Sequence, residues 1–176
     1  MEQVQIRPAR ADEAVAVGNV AVAAYEADGF LTLPGGAVDV RYRDWLADAA
    51  PRIAGDVVMV AEIGDRLVGS VTWCPFGSRS AELAVEPGQG EFRTLAVAPS
   101  ARGRGVARAL VAWCIGEAER TGLDEIWICS REEMAPAHAL YLALGFERVP
   151  ARDWSPVAGM TLRTFRRAVR VTSFGE

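Results

Sequence analysis

Arg102, Gly103, Arg104 and Gly105 stand between an alternating apolar segment and a run with helical spacing. A glycine-bearing turn that opens a helix leaves backbone N–H groups unpaired at the positive end of the helix dipole. Glycine also lets backbone approach a ligand without Cβ contact. Arg102, Arg104 and Arg108 add positive charge in a chain whose formal net charge is -4. Such a turn suits the holding of an anion, best a phosphate. Two common phosphate motifs do not fit it. A nucleotide-hydrolase loop needs Gly-Lys and then Ser or Thr, and no Lys follows either glycine. A dinucleotide fingerprint needs a third small residue where Arg108 stands, and here the motif follows a hairpin rather than opening a first βαβ unit. Metal chemistry is not expected. Cys74, Cys114 and Cys129 lack paired spacing and read as buried thiols of a reducing compartment, and His138 is the single histidine.

The elements around the turn follow from periodicity. Glu91 to Val97 alternates through Phe92, Leu95 and Val97 and stops at Pro99, as a strand does. From Val106 the apolar set Val106, Ala109, Leu110, Trp113 and Cys114 recurs at helical spacing, and Gly122 ends the helix. Upstream, Val4 to Arg7 predicts a first strand. Asp12 is a candidate cap for a helix carrying Val15, Val22 and Tyr25. Val38 to Ala50 predicts one further helix with Tyr42, Trp45 and Leu46 on one side. Asp56–Ile63 and Arg66–Trp73, joined at Gly64-Asp65, predict a hairpin. A Gly/Ser-rich loop follows Pro75, with a short strand expected at Glu82–Val85. Downstream, Glu125–Cys129 predicts a strand, Ala135–Leu144 a helix closed by Gly145, Phe146–Val149 a strand start and Gly159–Ala168 a last strand. A strand meander followed by alternating strands and helices implies an α/β (α+β) fold with a mixed sheet covered on both faces.

Bulk properties narrow the function classes. A chain of 176 residues, half of them hydrophobic, can bury a core as one domain. No apolar run approaches the roughly 18 residues a membrane helix needs, and the charged MEQVQIRPARADEA opening does not read as a signal peptide. An acidic balance argues against general nucleic-acid binding. A cytoplasmic protein with no membrane partner is the expectation.

Leu95-Ala96-Val97-Ala98-Pro99 followed by Arg102-Gly103-Arg104-Gly105-Val106-Ala107 resembles the acetyl-CoA signature of the GNAT superfamily of N-acetyltransferases. Ala137-His138-Ala139-Leu140-Tyr141-Leu142-Ala143-Leu144-Gly145-Phe146 is similar to that family's second signature. The Ile6-Arg7-Pro8-Ala9 opening and the Val60-Ala61-Glu62 and Val68-Gly69 hairpin extend the likeness. It covers most of residues 4–168, leaving 169–176 as a short tail.

The resemblance implies a mostly antiparallel sheet splayed between the strands at 91–97 and 125–129. It also implies acetyl-CoA as co-substrate and transfer to an amine by direct attack. The pantetheine arm would pair with backbone of Leu95, Ala96 and Val97. The pyrophosphate would sit on the N–H groups from Arg102 through Gly103, Arg104, Gly105 and Val106 to Ala107, with Arg108 nearby. Tyr141 is implied as the acid for the sulfur, since a phenol with a pKa near ~10 stays protonated at neutral pH. Glu91 could deprotonate the amine directly or through water, and His138 is an alternative base. Met134 stands where the family often has Asn. Dimers are common in similar proteins, so a homodimer is an expectation. A non-catalytic acyl-CoA-binding or regulatory module on the same fold is the alternative reading. The acceptor side falls to residues 25–50, 75–90 and 150–160. Glu26, Asp28, Asp39, Asp44 and Asp48 outnumber Arg41, Arg43 and Arg52 there, which predicts a small primary amine or a peptide amino group and disfavours anionic acceptors. Trp45 and Trp73 are candidates to wall that pocket.

Overall fold

The computed structural model describes residues 3–169. Its strands are β1 (Val4–Pro8), β2 (Val57–Ile63), β3 (Arg66–Pro75), β4 (Gln89–Val97), β5 (Glu125–Arg131), β6 (Glu147–Arg148) and β7 (Leu162–Ala168). Its helices are α1 (Ala14–Ala27), α2 (Val40–Ala47), α3 (Ala50–Gly55), α4 (Val106–Thr121) and α5 (Ala135–Ala143). The strands form one sheet in the order β1-β2-β3-β4-β5-β7-β6. Every adjacent pair is antiparallel except β4 and β5.

Side-chain alternation divides the sheet into two buried faces. On β2, Met59, Ala61 and Ile63 join the core under α4, with Val106, Leu110, Val111 and Cys114. Val58 and Val60 point the other way, against Val17 of α1 and Ala49. The α4 face continues through Ile126, Ile128 and Phe165 to Tyr141 of α5. On the opposite face Ala21, Val22 and Ala24 of α1 meet Leu46 of α2 and Ala96 of β4. Gly18 sets the distance between α1 and α2, because a Cβ there would run into the Ala47 carbonyl.

Several local expectations are corrected. The helix expected over 38–50 is two helices, α2 and α3. Pro51 lies in the first turn of α3, where its missing N–H costs nothing, and it could not continue α2. The strand expected from Asp56 begins at Val57, since Asp56 closes α3. Asp12 does not cap α1. It lies within a 3-10 turn, and Glu13 instead accepts the Arg10 N–H at 2.8 Å. Val15 points into solvent, 73% exposed, so it is no part of the helix's apolar face. Glu82–Val85 is not a strand. Val169, the last described residue, is buried and its N–H bonds the Asp124 carbonyl at 2.8 Å. Residues 170–176 lie outside the described residues.

Candidate active site

β4 and β5 pair only from Gln89–Glu91 to Glu125–Trp127. Beyond Glu91 the two strands part, and β4 keeps only β3 as a partner. The β5-facing edge of Phe92–Val97 is therefore backbone without a strand neighbour, a template for an extended ligand. A bulge sharpens the parting. Thr72 stands opposite Arg93 and Ser70 opposite Ala96, so Thr94 and Leu95 together face Val71. Thr94 takes φ 50, and its hydroxyl lies 2.7 Å from that of Thr72. A β-branched residue with positive φ is rare, and nothing in the local pattern marks it.

At the far end of the parted edge stands the glycine turn. Gly103 and Gly105 have φ 74 and φ 79, and Gly105 is the N-cap of α4 with no side-chain cap bond. No atom lies within 4 Å of a Cβ built on either glycine. The first intrahelical bond is Ala109 N–H to Gly105 carbonyl, at 2.9 Å. The N–H groups of Val106, Ala107 and Arg108 precede it, as an anion site needs. Leu95, Ala96, Val97, Arg102, Gly103, Gly105, Val106, Ala107 and Arg108 all border one cleft of about 1370 Å³. Arg104 is exposed and does not border it. Arg102 is tied to Asp28 at 2.8 Å, which fastens the turn to the end of α1.

Tyr141 lines the same cleft, 3% exposed, among Phe92, Phe146 and Phe165. Burial pushes its pKa well above that of an ordinary phenol, with Cys129 and Cys114 contributing, so it stays protonated at neutral pH. Glu91 sits where β4 and β5 part and is buried. Its Oε2 accepts N–H groups from Glu82 at 2.8 Å, from Leu83, and from Ala84 at 2.7 Å. Gln89 Oε1 takes the next two, from Val85 at 2.9 Å and Glu86 at 3.0 Å. Five successive amides thus end on two β4 side chains instead of forming a strand ladder. Glu91 Oε1 is 3.9 Å from Arg93 Nε, and the residue lines the cleft. Burial raises the Glu91 pKa, while the three amides and Arg93 pull it back.

Two other candidates, His138 and Trp73, do not border the cleft. His138 Nε2 lies 3.0 Å from Ser130 Oγ, its ring packs on Phe165, and it does not border the cleft. Burial and the charges of Arg163 and Arg148 lower its pKa. Trp73 is buried in the main core, whereas Trp45 does line the cleft. Cys129 borders the cleft, and burial pushes its thiol up to about 11. Met134 lies on the wall just before α5 and makes no side-chain cap bond there. Residues not singled out beforehand complete the wall: Tyr25, Phe30, Tyr42, Arg93 and Trp154. Tyr42 stacks on Trp45 at 5.6 Å, and the Arg93 and Arg52 guanidiniums lie over the same indole at 5.4 and 4.5 Å.

Of the five acidic residues expected on the acceptor side, only Asp28 and Asp39 border the cleft. Glu26 pairs with Arg43, Asp28 with Arg102, and Asp39 Oδ1 accepts the Tyr42 N–H. Asp44 and Asp48 do not border it. Among the described residues no cluster of metal-ligating side chains occurs, and no helix is long and apolar enough to cross a membrane.

A mixed sheet parted beside an uncapped glycine turn offers a backbone edge to an extended ligand and open amides to an anion. The model of the acetyltransferase (GNAT) family matches residues 20–146, and the chain belongs to that family. It is 32% identical over 125 residues to an uncharacterised protein of Mycobacterium leprae (strain TN), covering 64% of this chain and 34% of that protein. The chain therefore spans about a third of the length of that relative. Its fold is similar to that of YncA from Salmonella typhimurium, solved with its cofactor acetyl-CoA, with TM-score 0.65 and 20% identity over 98% of each chain. It is also similar to PaiA N-acetyltransferase from Thermoplasma acidophilum in complex with coenzyme A, with TM-score 0.71, 12% identity, and 94% and 99% of the two chains covered.

Proposed function

We propose that the protein transfers an acetyl group from acetyl-CoA to a primary amine of a small molecule or peptide. The observation that carries this reading is the unpaired edge of β4 beyond Glu91, running to the open α4 turn in one cleft that the buried Tyr141 also lines. The residues present fit the co-substrate. Gly103 and Gly105 leave the α4 amides open to a pyrophosphate, and Arg108 adds charge beside them. The free edge at Leu95, Ala96 and Val97 can pair with an amide-bearing arm. When bound, acetyl-CoA supplies an activated acyl carbon and a thiolate leaving group.

The chain's own groups then divide the proton traffic. Tyr141 holds its proton at neutral pH and donates it from Oη to the departing sulfur. Glu91 takes the amine proton through water at Oε1, while the three amides on Oε2 fix its orientation. A carboxylate with a raised pKa is the stronger base for that task. The aromatic wall of Tyr25, Tyr42 and Trp45 excludes water from the acceptor side. The test is thiol release from acetyl-CoA across a panel of amines, with mass detection of the acetylated product. Absence of acetyl-CoA binding by calorimetry would overturn the reading.

A further inference from the structure

The arginines bordering the cleft fall into two groups. Arg93 pairs with Glu82 at 2.9 Å, Arg102 with Asp28 at 2.8 Å and Arg131 with Glu133 at 3.3 Å. Arg41, Arg79 and Arg108 line the cleft with no ion pair among the described residues. Arg108 belongs to the first turn of α4. Arg41 belongs to α2 and Arg79 to the turn after β3.

Both stand on fixed backbone. Arg41 lies in the first turn of α2, whose start is capped by Asp39. Arg79 precedes Ser80, which is held three ways. Its hydroxyl bonds Asp56 at 2.5 Å, its N–H bonds Asp56 at 3.4 Å, and its carbonyl accepts Arg93 Nη1 at 2.7 Å. The same Arg93 guanidinium lies over the Trp45 ring of α2. Arg93 thus joins α2 to the 79–80 loop at one indole, and Arg41 stands one helical turn before that indole on α2. The downstream loop cannot wander, since Glu91 and Gln89 hold its amides from Glu82 to Glu86.

The loop that follows Arg79 is anchored at one end of the parted β4 edge, and the phosphate turn follows the other end. Glu91, which holds the 79–86 loop, and Val97, which precedes the α4 turn, are six residues apart on β4, about 20 Å at strand rise. Two unpaired guanidiniums in a cleft also lined by stacked Tyr42 and Trp45 suit a carboxylate attached to an apolar or aromatic body. The carboxylates bordering the cleft are engaged in contacts of their own, and six arginines line it beside five carboxylates. Glu82 and Glu133 are ion-paired, Asp39 is a cap, and Glu91 holds three amides.

We infer that the acceptor is a carboxylate-bearing amine of the α-amino-acid type with an apolar or aromatic side chain, recognised by Arg41 and Arg79. This rests on the acetyltransferase reading above and names the substrate class of that site. It reverses the preference for cationic acceptors read from the acidic residues of segment 25–50.

The experiment compares matched pairs: phenylalanine with phenethylamine, tryptophan with tryptamine and leucine with 3-methylbutylamine, each against the corresponding amino-acid amide. Thiol release is followed at low and high salt. The expected result is kcat/KM higher by about tenfold or more for the carboxylate-bearing member, as a charge-assisted Arg–carboxylate contact gives. That ratio should shrink with salt and collapse in the R41A/R79A double variant. Both arginines are exposed, so the variant should fold, which a thermal melt checks, and its acetyl-CoA affinity should match the parent's. Equal or better turnover of the decarboxylated or amidated partner overturns the inference. So does a protein that binds acetyl-CoA and acetylates none of the panel. Failure to bind acetyl-CoA instead removes the reading on which the inference rests, and calorimetry tells the two failures apart.

Discussion

Glu91→Gln separates two tasks that one carboxylate performs. Gln keeps the shape and an acceptor oxygen, so the amides of Glu82, Leu83 and Ala84 retain a partner. Each of those bonds weakens from a charge-assisted one, worth about 1.5–3 kcal/mol, to a neutral one of about 0.5–1.5 kcal/mol. Three such losses come to about 3 kcal/mol. Relief of a buried charge offsets part of that, leaving a net loss on the order of 1–3 kcal/mol. For a chain of this size the melting temperature should fall by roughly 2–4 °C per kcal/mol. The chemical consequence is larger. Loss of a general base lowers kcat by about 10²–10⁴-fold. The raised Glu91 pKa puts an acid limb in the pH–rate profile above the ordinary carboxylate range. In the variant that limb should vanish, and rate should return at high pH, where free amine is plentiful. The assay is kcat/KM against pH for both proteins, with melts recorded on the same preparations. A variant with the parent's pH profile and kcat within a few-fold would refute the base role. A lowered melting temperature alone would then mark Glu91 as the anchor of the 82–84 loop.

Three further outcomes are expected. Tyr141→Phe keeps the ring against Phe92 and Phe165 and removes only the donor, so kcat should fall about 10²-fold or more while acetyl-CoA affinity stays put. Gly105 has φ 79, so a test of the turn needs a residue that tolerates this conformation. Gly105→Asn should fold, and calorimetry should show acetyl-CoA binding weakened by about tenfold or more as its side chain competes for the α4 amides. Arg7 holds the Glu13 carboxyl down from its ordinary 4.5 to about 2, so this contact stabilises the fold above pH 4.5 and is lost as pH falls towards 2. Urea titrations across that window should show Glu13→Gln with a shallower acid-side loss than the parent; parallel curves would reject the linkage.

Local chemistry made much of this protein readable from its residues alone. Alternation along 57–63, 66–73 and 91–97 and the 3.6-residue spacing after Val106 specify strands and a helix through contacts within one element. Gly103 and Gly105 announce a turn because few other residues take positive φ without strain. Two motifs in order sufficed to point to the family. The break between α2 and α3 was legible too, in Pro51, although apolar spacing across 38–50 masks it.

What tertiary structure decided are the properties that depend on partners far along the chain. Glu91 reads as a free carboxylate at a strand end, yet the chain folds three amides onto it. Asp28 reads as acceptor-side negative charge, yet it neutralises Arg102, 74 residues away. Thr94 reads as an ordinary strand residue, yet the pairing of β3 with β4 forces it into a bulge. Periodicity reports which face a side chain takes, because that depends on backbone geometry close by. Which charges survive unpaired depends on how the sheet brings distant loops together, and so Arg41 and Arg79 became distinct from the other cleft arginines only in the folded chain.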